Sequence, residues 1–180
     1  MKRRWLGYVL IGSVFGVADF FYQRLISDWA RTRPELVSTA WGRIAHSALI
    51  LGVWLLPIGL VAWREAKASR GKWRPALAGS LTWLAAVVAY YLYNAFELAV
   101  VGAPGRPELH ISGRNAPFFW ENWKNVAVGD ILGGILEWAP IALIGGCAIG
   151  WLVGVLYRRL ASCSRRPLAA EAADGGRGAA

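Results

Sequence analysis

From Val126 to Tyr157 the chain reads VAVGDILGGILEWAPIALIGGCAIGWLVGVLY, a stretch in which Asp130 and Glu137 are the only acidic or basic residues. A run this long and this apolar is expected to be a helix in lipid. Its two acids are seven residues apart, so on an α-helix they share a face to within about 20°, with Gly133 and Gly134 between them. A carboxylate near hydrocarbon is costly and marks a candidate site. The run is therefore read as the wall of a polar pocket.

The rest of the sequence follows the same pattern. The spacing predicts an all-α, polytopic membrane protein, four transmembrane helices in a bundle, with spans at about 5–22, 44–63, 75–101 and 126–157. Apolar residues make up 56% of the chain, charged residues only 17%, and there are 11 Trp, a composition suited to lipid. The net charge of +9 is gathered in short runs beside apolar segments, which points to a membrane surface and away from nucleic acid. Cys147 and Cys163 show neither disulfide nor zinc spacing.

In chain order, MKRR precedes the first span, in which Gly12, Gly16 and Asp19 fall on one face. A signal peptide cut near Gly16-Val17-Ala18 is the competing reading, and Phe20-Phe21-Tyr22 argue against it by extending the apolar run. Residues 23–40 read as a mixed-charge connection with a short helix before Pro34, and Pro57 as a kink late in the second span. The second connection, REAKASRGKWR, is dense in Lys and Arg.

Tyr90, Asn94 and Glu97 share a face of the third span. The connection opened by GAPGRP ends in Phe118, Phe119, Trp120 and Trp123, read as a short interfacial helix before the fourth span. Gly146, Gly150 and Gly154 form a packing ladder within that span. The four-helix domain is expected over 1–166, with 167–180 a disordered cytoplasmic tail. Lys and Arg crowd the N-terminus, the second connection and the C-terminal segment, an N-in/C-in arrangement typical of a multi-pass protein of a bacterial cytoplasmic membrane.

Counting about 1.5 Å per residue from the cytoplasmic ends puts Asp19 at roughly 21 Å, His46 at about 26 Å and Asn94 at about 28 Å. Glu137 comes at about 30 Å, Glu97 at about 33 Å and Asp130 at about 40 Å. Against a hydrocarbon core of about 30 Å, these groups lie in the outer leaflet or at its surface. The cytoplasmic half carries no comparable group. The expectation is a polar pocket of Asp19, His46, Tyr90, Asn94, Glu97, Asp130 and Glu137, with Arg24 and Arg43 at its rim. Each residue taken alone also reads as an end-of-helix group reaching for water.

Three kinds of function suit such a layer. The acids bind a cation or relay a proton in a small transport or binding subunit, with His46 as a further ionisable group. Otherwise the layer only fixes helix register in an accessory protein, or it supports a membrane-embedded hydrolase or metal enzyme, His46, Glu97 and Glu137 being the candidate ligands. Asn94-x-x-Glu97 and Asn125-Val126-Ala127 with Asp130 share letters with the acid motifs of lipoprotein signal peptidases. No Gly-Asn-x-x-Asp-Arg stretch occurs and Asp130 is off the required spacing, so no family is assigned. Zinc-protease, P-loop and dinucleotide signatures are absent and no cofactor is implied. Four helices make a thin wall, so a homo-oligomer or larger membrane complex through the glycine faces is expected.

Overall fold

The computed structural model describes residues 2–69, 71, 73–102 and 113–175, the side chains of Lys2, Leu36 and 163–175 excepted. The GAPGRP opening beyond Gly102 lies outside the described residues, as do the side chains of the expected tail. The described chain is helical: α1 (Lys2–Thr32), α2 (Pro34–Ser38), α3 (Ala40–Gly52), α4 (Leu55–Ala68), α5 (Arg74–Val100), α6 (Phe119–Val126) and α7 (Gly133–Gly175). A π-helical segment, Ala127–Leu132, joins α6 to α7.

Three helical stretches, Arg3–Thr32, Arg74–Val100 and Phe119–Ser162, are each long and apolar enough to cross a bilayer. The pair α3 and α4 reaches that length only together, across a bend of 41°. Large apolar side chains point outward along all of them, among them Leu6 at 70% exposure, Leu136 at 73% and Ile144 at 72%. The interior combines Ala and Gly at the close helix contacts with a few larger side chains, among them Ile58, Val61, Trp54 and Phe119. Water would penalise that outward apolar surface, whereas lipid accepts it. The chain is a multi-spanning membrane protein.

α5 is the central helix and the most buried of the three long ones, packed against α1, α4 and α7. A Cβ on Gly12 would stand 2.2 Å from the Thr82 carbonyl oxygen, and one on Gly16 2.1 Å from that of Ala86. On the other side, Gly146 abuts Ser80 and Gly150 the Pro75 carbonyl. The Ser80 hydroxyl donates across this seam to the Leu143 carbonyl at 2.7 Å. Glycine lets the backbones approach closely enough for dense van der Waals contact. The glycine faces expected to recruit a second chain are thus filled by α5 within this one.

These contacts also fix direction. Gly12 meets Thr82, Gly16 meets Ala86 and Arg24 meets Glu97, so α1 and α5 run parallel. Gly134 meets Tyr91 and Gly150 meets Pro75, so α7 runs antiparallel to α5. Between the two parallel helices, the chain returns through α3 and α4. Leu49 accepts from the Tyr22 hydroxyl at 3.1 Å, Ile58 touches Gly79, and Glu65 reaches Tyr8.

Helix ends depart from the sequence reading for local reasons. α1 continues past Tyr22 because QRLISDWART contains neither Gly nor Pro. It stops before Pro34, whose ring disfavours helical geometry at Arg33 (φ −132°, ψ 57°). Pro57 falls in the first turn of α4, so the helix breaks at Val53–Trp54 rather than bending gently. There Trp54 and Leu56 donate to carbonyls three residues back, Leu51 and Val53. The chain leaves α5 through Gly102 (φ 85°), whose amide turns back to Glu97, and Arg114 donates to the Ala99 carbonyl. The aromatic stretch after Phe118 is helical as expected but runs on through the π segment into α7, without a separate turn.

One further difference concerns the end of the bundle assigned to the cytoplasm. Glu65, read as part of an aqueous connection, lies in α4 at 3% exposure and accepts a hydrogen bond from Tyr8 at 2.7 Å. That end of the bundle therefore does hold a buried acid.

Candidate binding site between α1 and α5

α1 presents Gly12, Gly16 and Asp19 to α5, the face that their spacing predicts. Asp19 follows the closely packed glycines and is 1% exposed. The Gln23 side-chain amide, one turn on, donates to its Oδ2 at 2.6 Å. Oδ1 is buried and has no hydrogen-bond partner among the described residues. Tyr90 comes from α5, within electrostatic reach of Asp19 and with its ring 5.8 Å from that of Phe20.

Farther along the same seam, Arg24 Nη1 meets Glu97 Oε1 at 2.6 Å. Arg24 is 57% exposed, so this pair contributes about 1 kcal/mol or less and serves to set register. Asn94 lies between Tyr90 and Glu97 on α5, half-buried. The structure thus brings Asp19, Tyr90, Arg24 and Glu97 to one helix interface.

It places the other expected residues elsewhere. His46 is on α3, in a groove with Trp29 and Trp41, and its Nδ1 is buried without a partner among the described residues. Arg43 donates to the Ser38 carbonyl at 2.8 Å, bracing the turn between α2 and α3 rather than rimming a pocket. Asp130 is exposed on the π segment, through which α-helical spacing to Glu137 does not apply. Glu137 is exposed on α7, although its charge reaches Tyr91, and Gly134 one turn away packs on that ring. Among the described residues no three of His, Cys, Asp and Glu come together as metal ligands, so His46, Glu97 and Glu137 do not form a metal site.

Beside Gln23 lies a cavity of ≈ 120 Å³, where α1, α3, α5 and α7 meet at the break before α4. Its aromatic wall is Trp54, Trp83, Tyr90, Tyr91 and Trp138. Trp54 and Trp83 stand 6.0 Å apart at 35°, and Tyr90 and Tyr91 5.3 Å apart at 79°. Trp83, Val87 and Tyr90 follow the i, i+4, i+7 pattern of one α5 face, and of these the sequence reading singles out only Tyr90, grouped with Asn94 and Glu97. Gln23 and Trp54 carry no such signal, because one falls in the mixed-charge stretch 23–40 and the other sits in the broken turn.

Fold and site together define a polytopic helical membrane protein with a buried, half-satisfied carboxylate next to an aromatic cavity. Comparison with known families, with characterised proteins and with solved structures finds no match.

Proposed function

We propose that this chain is a cation-binding subunit of a bacterial cytoplasmic membrane, holding a positively charged group near Asp19 in the outer leaflet. The observation that carries this reading is the Asp19 carboxylate, 1% exposed, with Oδ1 unpartnered among the described residues. A buried carboxylate with one oxygen unsatisfied costs folding free energy, and a residue kept only for register would be expected to pair both. A cation near Oδ1 offsets that cost. Asp19 is its anionic partner, Gln23 fixes the carboxylate, and Tyr90 closes the α5 side.

In this reading both termini are cytoplasmic and the chain crosses the bilayer four times. The parallel course of α1 and α5 supports this, since the segment between them must return. A reporter inserted after Arg33 and another after Ser69 are expected on opposite faces of the membrane. Finding both on one face would make α3 and α4 a re-entrant pair. Any larger assembly uses faces other than the glycine rows, which α5 occupies.

The binding itself is tested by thermal unfolding of purified protein, following tryptophan fluorescence in sodium, potassium or tetramethylammonium chloride at fixed ionic strength. A ligand at a hundred times its Kd stabilises by about 2.7 kcal/mol. Wild type is expected to show saturable stabilisation by at least one cation. Asp19→Asn, which retains an acceptor for Gln23, is expected to shift that response at least tenfold to higher concentration. Identical curves for the two proteins would reduce Asp19 to a packing residue and the chain to a scaffold.

A further inference from the structure

We infer that the cation is an organic ammonium, a trimethylammonium-type group seated in the aromatic cavity beside Gln23. The inference rests on the cation-binding reading above and names its ligand class. An inorganic cation must exchange its hydration shell for several oxygen ligands. This cavity is walled mainly by carbon, with Gln23 and the two tyrosines as its polar side chains. A quaternary ammonium spreads its charge over methyl groups, donates no hydrogen bonds and needs no such ligands.

What it does need is negative potential at close range, and the aromatic wall supplies that. Trp54, Trp83, Tyr90, Tyr91 and Trp138 are five rings whose faces carry the negative lobe of the aromatic quadrupole, and Trp is the strongest of these partners. Asp19 does not line the cavity but is joined to two residues that do, its Oδ2 bonded to the Gln23 amide and its charge within reach of Tyr90. The nearest cation along the seam, Arg24, is neutralised by Glu97. Among the described residues no lysine or arginine lines the cavity. The buried anion therefore acts on whatever fills it.

Size agrees with one headgroup. A cavity of about 150 Å³ takes up a benzene-sized guest, and this one measures ≈ 120 Å³. That is room for a trimethylammonium group but not for an acyl chain. The same chemistry is carried by free choline-like solutes and by phosphocholine lipid headgroups.

The experiment compares choline with 3,3-dimethylbutan-1-ol, its neutral isostere, on purified wild-type protein by calorimetry and tryptophan fluorescence. Choline is expected to bind at least about tenfold more tightly than the isostere, the scale of a desolvated cation–π contact with a buried charge behind it. Trp138→Leu should weaken choline several-fold and Trp138→Phe, which restores a ring, should recover most of the loss. Equal binding of choline and the isostere overturns the inference, because the cavity would then be a plain apolar void. An Asp19-dependent response to sodium or potassium with none to choline overturns it while leaving the cation-binding reading intact, and no Asp19-dependent response to any cation removes both. Nanodiscs of phosphatidylcholine against phosphatidylglycerol assign the source. Loss of choline binding only in the former identifies the lipid headgroup as the occupant, and equal binding in both identifies the free solute.

Discussion

Gly16→Ala is expected to destabilise the protein, while Gly7→Ala on the same helix leaves it unchanged or slightly more stable. The two substitutions add the same methyl group. At Gly16 that methyl would lie 2.1 Å from the Ala86 carbonyl oxygen and 3.0 Å from its Cα, so a helix backbone has to move. At Gly7 nothing lies within 4 Å. Overpacking of a well-packed seam costs roughly 1–3 kcal/mol, and the upper end applies because the obstacle is main chain. The Gly7 change removes only the helix penalty of glycine, about 0.5–1 kcal/mol. Thermal midpoints in one detergent measure both, and a Gly16→Ala protein as stable as Gly7→Ala would mean that α1 does not pack on α5 as described.

Tyr8→Phe is the second large effect, expected at about 1–3 kcal/mol of lost stability. The variant keeps the ring and its edge contact with Trp5 but removes the hydroxyl that reaches Glu65 at 2.7 Å. Glu65 is 3% exposed, so its carboxylate cannot simply exchange the lost donor for bulk water. Adding Glu65→Gln to Tyr8→Phe should recover part of the loss, because a neutral amide is cheaper to leave buried than a charge. A Tyr8→Phe protein within about 0.5 kcal/mol of wild type would show that Glu65 is satisfied without the tyrosine.

Much of the architecture is legible in the apolar runs, since each must find lipid and their lengths match a bilayer. The Gly12, Gly16, Asp19 face is legible too, because a period of 3.6 determines which residues share a side and glycine marks where another backbone must come close. The same period aligns Tyr90 with Glu97, and both do face α1. Depth counting works less well. It gives the level of a residue along the axis but not the direction in which its side chain points. Glu137 is near the level of Tyr91, yet the glycines turn the other side of α7 to α5 and leave the acid outside. His46 fails for another reason: α3 lies at the edge of the bundle, ahead of the broken turn, and no residue of it is buried. Glu65 was hidden by its neighbours, as charges on both sides made the segment look aqueous while the helix carried this one carboxylate inward.

The parallel pairing of α1 with α5 has a consequence for how the protein is made. Antiparallel neighbours form as hairpins as they emerge, but the partner of Gly12 is Thr82, and the chain between them must be synthesised first. At about 5–20 residues per second that interval is on the order of 10 s. Throughout it, α1 waits in the bilayer with its glycine stripe and Asp19 uncovered, open to the insertion machinery or to another nascent segment. The arrival of α5 is the step that commits the molecule to its final form.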